Sequence, residues 1–290
     1  MKFCVPKYYK DFKCIADKCT HSCCIGWEID IDNNTLEKYS RLNHEYREAI
    51  IESIDRDGDP HFRLSINERC PHLDEKGLCK IITNLDESYL CEICREHPRF
   101  YLNSEMGLGM ACEEACRVIL SSDNYDELEE TSTCGAVSID NSAALMERTR
   151  LFGILKNNTL KHEEKLNYIY NAYSVSPKDY DDGELRTLLL SLEYLNEKHK
   201  ELFQLYSSDT RTPKELEKQL ERALAYFIFR HCTDAIDPQE LRAALGFALV
   251  CERLICTVAC ELGDIELASR IVSEEIEYST ENTDEIKNLF

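Results

Sequence analysis

Cysteine is distributed unevenly along this 290-residue chain, and its distribution limits the possible folds more than any other feature. Twelve of the sixteen cysteines lie between Cys4 and Cys134. A chain of this length can bury a hydrophobic core without cross-links, so the size of the core does not require so much sulfur. The first half of the chain therefore uses its thiols for chemistry or for metal binding.

The start of the chain, MKFCVPKYYKDFKC, lacks the leader pattern of a secretory signal peptide. No apolar run approaches the ~18 residues that a membrane-spanning helix needs. The most apolar segment, LRAALGFALVCERLICTVAC, is interrupted by Arg242, Glu252 and Arg253. We therefore expect a cytoplasmic protein with no membrane contact. In that reducing compartment, clustered thiols favour metal binding or catalysis over disulfide bonds.

The chain is strongly acidic, with 55 acidic and 34 basic side chains and a formal net charge of -21. This charge repels phosphate backbones and anionic lipid surfaces, so we expect no nucleic-acid partner. A cationic partner, such as a protein that presents lysine side chains, remains compatible with it.

The two halves of the chain have different patterns. Turn signals such as DRDGDP, DEKGLC and EHPR interrupt the cysteine-rich half, which predicts short helices between loops. Beyond it, apolar residues recur with helical spacing, as at Leu185, Leu188, Leu189, Leu192 and Leu195. The sequence therefore predicts a mainly α protein, with a loop-rich, metal-binding domain over residues 1–135 and a bundle of five or six helices over residues 136–290.

Three segments of the second half carry signals for the start of a helix. Thr212-Pro213-Lys214-Glu215 and Asp237-Pro238-Gln239-Glu240 each place a capping oxygen before a proline and a glutamate. Ser176-Pro177-Lys178-Asp179 is a weaker version. We predict that helices begin at these positions.

Ten thiols have spacings that suit metal binding. Pairs such as Cys91 and Cys94, or Cys112 and Cys116, direct two sulfurs towards one centre. The adjacent Cys23 and Cys24 diverge, so we expect one of them to bind metal and the other to pack, bridge or stay free. The candidate ligands are Cys14, Cys19, Cys23, Cys24, Cys70, Cys79, Cys91, Cys94, Cys112 and Cys116.

The spacing leaves the identity of the metal open. Tetrahedral zinc and iron-sulfur clusters both take four thiolates, and ten thiols exceed the needs of one such centre. His21 and His97 are further candidate ligands, and Trp27 is expected to anchor the first loop and shield the metal. Cys232, Cys251, Cys256 and Cys260 lie among apolar residues and are predicted to pack in the core. Cys4 and Cys134 are unassigned.

Four segments resemble the flagellin lysine-N-methylase family, whose cysteine-rich part belongs to a group of zinc- or iron-chelating proteins of the CxxxCxxxCC type. They are PKYYKDFKCIADKCTHSCCIGWEIDID, CPHLDEKGLCKI, YLCEICREHPRF and GMACEEACRVIL, and in order they cover most of residues 6–120. The most specific element is Cys23-Cys24-Ile25-Gly26-Trp27.

This resemblance implies methyl transfer from S-adenosylmethionine to the side-chain amine of a protein lysine, with flagellin as a candidate substrate. It also implies a [4Fe-4S] cluster on the cysteine-rich segment, which favours iron over zinc. The chain lacks the strand and glycine-rich turn that most methyltransferases use for S-adenosylmethionine. An iron with an open coordination position would instead hold that cofactor, and Arg95 and Arg99 would clamp its carboxylate or neutralise an anionic cluster.

Two questions remain open at this point. Radical and polar methyl transfer are both allowed, and a polar route needs a base to deprotonate the lysine. Glu28, Asp30, Glu113 and Glu114 are the carboxylates nearest to the cysteine motifs in sequence. The alternative to an enzyme is a protein-binding module in which zinc joins the loops and the helical half presents an interaction surface.

Overall fold

The computed structural model describes residues 4–103, 105–131 and 142–290, and most of their regular structure is α-helical, which confirms a mainly α fold. The chain forms two compact units. The first, which we call the cysteine unit, is Cys14–Arg99. The second, the helical unit, combines Met1–Lys13 with Phe100–Phe290.

The boundary between these units along the chain does not fall at residue 135, where the cysteine content changes. Strand β1 (Cys4–Pro6) pairs in antiparallel fashion with β6 (Leu128–Glu130). Helix α5 (Glu113–Ser121) packs against the two helices Glu217–Cys232 and Ile265–Val272. Residues 100–131 therefore belong to the helical unit, because the apolar face of α5 is buried among its helices. Cysteine content does not indicate the boundary between the units.

The cysteine unit contains four short helices and one small sheet. Its helices are α1 (Asn33–Arg41), α2 (Arg47–Ser53), α3 (Lys80–Asn84) and α4 (Glu92–Glu96), and its strands are β2 (Ile54–Asp55) and β3 (His61–Phe62). Its core is small and contains two thiols: Ile29, Ile31, Tyr39, Ile50, Ile54, Phe62, Cys70, Leu73, Ile81 and Cys91. A core of this size gives limited stability, so a bound metal would contribute to it.

The helical unit includes the strand pair β4 (Arg99–Tyr101) and β5 (Met106–Leu108) and all the remaining helices. After α5 these are α6 (Ser142–Leu155), α7 (His162–Tyr173), α8 (Asp182–Ser191), α9 (Lys200–Phe203), α10 (Glu217–Cys232), α11 (Pro238–Leu262), α12 (Ile265–Val272) and α13 (Thr280–Lys287). A π-helix, Ser273–Glu277, joins the last two.

The second half thus has more helices than the five or six predicted, because the leucine stripe is broken. Helix α8 ends at Ser191 and α9 begins at Lys200. Leu185 and Leu189 are buried, while Leu195 lies beyond the helix and is 52% exposed.

The longest helix, α11, is the centre of the helical unit. Asp237 caps it as predicted, since its carboxylate accepts hydrogen bonds from the backbone N–H groups of Gln239 and Glu240. In the described part of the chain it is the one helix apolar and long enough to cross a membrane, but 89% of its most apolar window is buried inside the protein. Its apolar surface therefore serves the core.

The predicted core thiols are mostly confirmed. Cys232 on α10 and both Cys251 and Cys256 on α11 are fully buried. The prediction is wrong for Cys260, which is exposed because it lies in the last turn of α11, close to its C-cap at Gly263.

The predicted helix start at Thr212 is also wrong, since α10 begins only at Glu217. The Thr212 hydroxyl donates to Glu163 Oε1 (2.5 Å) and accepts from Arg253 Nη2 (3.0 Å). The hydroxyl that was expected to cap a helix therefore binds the buried Arg253 side chain instead. At the third predicted helix start, the Ser176 hydroxyl does accept a hydrogen bond from the Lys178 N–H, but it caps a single 3₁₀ turn.

The two buried charged residues of α11, Glu252 and Arg253, neutralise each other. Arg253 donates from Nε to Glu252 Oε2 (2.6 Å) and from Nη2 to Glu252 Oε1 (2.7 Å), and His162 Nε2 lies 2.7 Å from Glu252 Oε1. Burial raises the pKa of Glu252, but Arg253 and His162 outweigh it, so the pKa falls to about 2. Breaking such a pair leaves an uncompensated buried charge.

We expect Glu252→Gln to lower the free energy of unfolding at pH 7 by about 3–5 kcal/mol. In the native chain, the pKa of Glu252 lies below that of an unfolded glutamate. Its contribution, on the order of 3 kcal/mol, is therefore complete above about pH 4.5 and is lost as the pH falls towards 2. Denaturant unfolding followed by circular dichroism at several pH values measures both effects. Glu261→Gln, at an exposed position of α11, is the matched control. Equal acid sensitivity in the two variants would contradict the assignment.

Candidate metal centre in the cysteine unit

Backbone pairing brings the first cysteine motif to Cys70. Ile25 and Arg69 form an antiparallel bridge, with the Cys70 N–H donating to the Cys24 carbonyl (2.8 Å) and the Gly26 N–H to the Glu68 carbonyl (3.0 Å). Gly26 has φ +92°, a conformation that glycine adopts without strain. The glycine after Cys23-Cys24 therefore allows the chain to turn where the two motifs meet.

A tight turn then places Cys79 close to Cys70. The Asp74 carboxylate accepts hydrogen bonds from the N–H groups of Lys76 and Leu78 (both 2.8 Å). Leu73 and Cys79 form an antiparallel bridge on either side of this turn. Cys79 itself caps the start of α3.

The Cys91–Cys94 pair is held by Asp32 and Tyr39. Cys91 is the N-cap of α4, and the first N–H of that helix, from Glu92, donates to Asp32 Oδ2 (2.9 Å). The buried Tyr39 hydroxyl donates to the Tyr89 carbonyl (2.7 Å) and lies 3.7 Å from Cys91 Sγ. The sequence analysis missed both positioning residues, although Asp32 is recognisable as a capping residue before α1.

The sulfurs of these motifs influence one another electrostatically. The Cys94 thiol donates to Cys91, which raises the pKa of Cys94 and lowers that of Cys91, and the thiols of Cys24 and Cys70 raise the pKa of Cys94 further. The pKa of Cys70 is raised to about 11, chiefly by burial and then by Cys79 and Cys91. Proximity of this kind favours protonated thiols until a cation binds them.

The vicinal cysteines join the same group. Cys23 donates a hydrogen bond to the Cys24 sulfur, which raises the pKa of Cys23. Burial raises the pKa of Cys79, and the Cys23 thiol adds to that effect. Six thiols from three segments thus influence one another's pKa, and we call them the thiol cluster: Cys23, Cys24, Cys70, Cys79, Cys91 and Cys94.

The other predicted ligands of the first motif are Cys14 and Cys19. Cys14 is exposed. Cys19 is half-buried, and its thiol donates to the carbonyl of His21. Both are in the cysteine unit, and their role as ligands stays a prediction.

The pair Cys112 and Cys116 belongs to the helical unit. Cys112 is the N-cap of α5, and Cys116, one turn later, is fully buried with its thiol donating to the Glu266 carbonyl (3.4 Å). This contact gives Cys116 a packing role in the helical core, and metal binding by the pair stays a prediction. Cys4 is half-buried in β1, and Cys134 lies outside the described residues.

Arg95 and Arg99 flank the end of α4. Arg95 Nε lies 3.4 Å from Glu96 Oε1, and its side chain is 43% exposed. Arg99 donates from Nη1 to the Arg95 carbonyl (3.3 Å). Arg95 thus lies in the last turn of α4 and Arg99 three residues beyond its end, so both cations follow Cys94 closely in sequence.

The candidate bases already have partners. Glu114 is buried and binds Arg117 through two hydrogen bonds (2.5 and 2.7 Å), while Glu28 lies 3.5 Å from His61 Nε2. Asp30 bridges to His61 through the backbone. None of these contacts distinguishes one of the carboxylates as a base.

Trp27 and two histidines lie around the thiol cluster. Trp27 Nε1 donates to the Cys23 carbonyl (2.7 Å), and its ring centroid lies 6.2 Å from that of His97. The pKa of His97 is lowered to about 4 by burial and then by His21 and Arg99. The buried His72 has both ring nitrogens occupied, Nδ1 by the Tyr46 hydroxyl (2.8 Å) and Nε2 by the Ser53 hydroxyl (2.9 Å).

A second set of possible ligand atoms lies in the helical unit, at His199, Glu274 and Glu275. His199 Nδ1 is 2.5 Å from Glu275 Oε1, and the same carboxylate accepts from the N–H groups of Leu195 and Asn196. Glu274 forms an ion pair with Arg270 (2.6 Å). These hydrogen bonds and this ion pair explain the group, which fixes the loop that follows α8.

Comparison of the sequence with known proteins relates the chain to a family. No protein-family model and no solved structure matches the chain. Flagellar biosynthetic protein FliU of Salmonella muenchen is 30% identical over 149 residues, which cover 46% of this chain and 86% of that protein. Lysine-N-methylases of Salmonella choleraesuis and Salmonella typhimurium are 29% identical over 140 residues, 43% of this chain. The chain belongs to the family of flagellar biosynthetic protein FliU.

The match to the two lysine-N-methylases covers only 34% of each enzyme. It confirms a relationship to lysine-N-methylases, as the cysteine motifs indicated.

If the thiol cluster binds a metal, Cys94→Ser and Cys70→Ser will each lower the metal content of anaerobically purified protein several-fold, because each removes a central thiolate. Cys251→Ala, in the helical core, is the control and should retain the wild-type content. Metal analysis with protein quantitation measures the ratio. The same measurement on Cys116→Ala tests the α5 pair separately. Wild-type metal content in Cys94→Ser would contradict a shared centre.

Proposed function

We propose that this chain is a protein-lysine N-methyltransferase that uses S-adenosylmethionine and holds a [4Fe-4S] cluster through the thiol cluster. The observation that carries the proposal is that six thiols from three separate segments of the cysteine unit influence one another's pKa, with the Cys24 and Cys70 segments joined by backbone hydrogen bonds. The relationship to lysine-N-methylases supports the reaction. Flagellin is the candidate substrate, because the chain belongs to the family of a flagellar biosynthetic protein.

The donor set fits an iron-sulfur cluster. Tetrahedral zinc with Zn–S bonds of about 2.3 Å requires sulfurs roughly 3.8 Å apart. Among the residues that the structure describes, no three thiol sulfurs lie within 4.8 Å of one another. In a cluster the cysteine sulfurs bind different irons and are spaced more widely, which suits thiols that interact without forming one compact tetrahedron.

The cysteine unit would supply both ligands and second-sphere contacts. Cys24, Cys70, Cys91 and Cys94 interact most closely. Three protein ligands, drawn mainly from these thiols, would bind three of the irons and leave the fourth iron open. Tyr39 and Asp32 would fix the position of Cys91. The cluster, when bound, supplies an iron with an open position that can coordinate the amino and carboxylate groups of S-adenosylmethionine. Arg95 and Arg99 would attract that carboxylate by charge-assisted hydrogen bonds.

The acidic surface favours a cationic substrate. A lysine side chain arrives as an ammonium ion and must lose a proton before a polar methyl transfer. The net charge of -21 attracts such a substrate at long range, which increases the rate of encounter at low salt. The zinc-stabilised binding module uses the same thiols, but it does not account for the lysine-N-methylase relatives.

We expect anaerobically reconstituted protein to be brown, to contain acid-labile sulfide, and to methylate lysines of purified flagellin when S-adenosylmethionine is present. Mass spectrometry of the flagellin peptides measures the product, and Cys94→Ser serves as the inactive variant. A colourless protein with stoichiometric zinc and no product on flagellin would support the binding module instead.

Removing the cations should affect the cofactor more than the protein substrate. Arg95→Ala and Arg99→Ala are each expected to raise the KM for S-adenosylmethionine about tenfold, the loss of one charge-assisted hydrogen bond of roughly 1.5 kcal/mol. The KM for flagellin should stay within twofold. Arg63→Ala, at another exposed position of the cysteine unit, is the control. An unchanged KM for S-adenosylmethionine would rule out the clamp.

A further inference from the structure

One ring nitrogen beside the thiol cluster is buried without a partner. His97 Nε2 is closed off from solvent and has no hydrogen-bond partner in the part of the chain that the structure describes. Buried polar atoms are almost always satisfied, so such an atom needs an explanation. A bound metal, a ligand or an ordered water is the usual one.

His97 lies close in sequence to the candidate metal ligands. His97 is the C-cap of α4, and its N–H donates to the Ile93 carbonyl (3.1 Å). It follows Cys94 by three residues, the spacing that places two side chains on the same side of a helical turn. Its ring centroid lies 6.2 Å from that of Trp27, whose Nε1 is hydrogen-bonded to the Cys23 carbonyl. His97 is therefore close in sequence to Cys94 and is linked through Trp27 to the backbone of Cys23.

His72 differs from His97 in the hydrogen bonds of its ring nitrogens. Both histidines lie in the cysteine unit, and His72 follows Cys70 by two residues. Both ring nitrogens of His72 are occupied by hydroxyl groups, as described above. His72 is thus explained by packing and hydrogen bonding alone, whereas His97 has one buried ring nitrogen without a partner among the described residues.

We propose that His97 Nε2 supplies one of the protein ligands to the metal held by the thiol cluster, an imidazole in place of one thiolate. This inference rests on the proposed function, because it takes that centre to exist. Imidazole is a neutral ligand, whereas thiolate is anionic, and replacing thiolate by imidazole raises the reduction potential of an iron-sulfur centre. His97 would therefore tune the centre as well as hold it.

The test uses the full chain, labelled with ¹⁵N-histidine, reconstituted anaerobically with ferrous iron and sulfide, and then reduced. We expect pulsed electron paramagnetic resonance to show a directly coupled histidine nitrogen. In His97→Cys the coupling should disappear while the iron content stays at the wild-type level, because a thiolate replaces the imidazole. The reduction potential of that variant should shift to a more negative value.

His72→Gln is the matched control. It removes a buried histidine from the same unit and is expected to lower stability, yet any protein that folds and binds iron should keep the nitrogen coupling. Iron-loaded wild type without a histidine coupling, or a coupling that persists in His97→Cys, overturns the assignment of His97 alone. Wild type that retains no iron overturns the proposed function together with it.

Discussion

The mutual proximity of thiols in a small unit is the constraint on which the rest of the structure depends. Buried sulfurs that lie near one another resist ionisation, as the raised pKa of Cys70, Cys79 and Cys94 shows. A metal cation reverses this preference, because it binds the thiolates and releases their protons. In the proposed centre, metal binding and folding of the cysteine unit would therefore stabilise each other.

Backbone hydrogen bonds, more than side-chain packing, gather these thiols. The pairing of Cys24 with Cys70 and the contact from Asp32 to the first turn of α4 hold segments that are distant in sequence. The helical unit is built differently. A long buried helix, α11, carries an apolar surface around one internal ion pair, and side-chain packing around it stabilises the unit.

Much of the fold was predictable from local patterns. Helical periodicity gave the mainly α class, and Asp237 gave the start of α11, because capping is a local interaction. The start at Thr212 was not predictable, since Arg253 and Glu163, which are distant in sequence, take its hydroxyl group. The extent of the helical unit was missed for a similar reason, because β1 and α5 are defined by their distant partners and not by composition.

The candidate site shows the same limit. Spacing predicted that Cys91, Cys94 and the Cys23-Cys24 motif bind one centre, and in the structure these thiols influence the pKa of one another and of Cys70 and Cys79. Spacing treated Cys112 and Cys116 in the same way, although the structure gives Cys116 a backbone partner in the helical core. Only burial and contacts distinguish a thiol that faces other thiols from one that packs in a core.

X-ray absorption spectroscopy of the anaerobically purified protein tests the central claim most directly. The account predicts iron whose nearest neighbours are mainly sulfur, with a second shell of neighbouring iron atoms. Protein that contains no metal, or a metal surrounded mainly by oxygen, would contradict it.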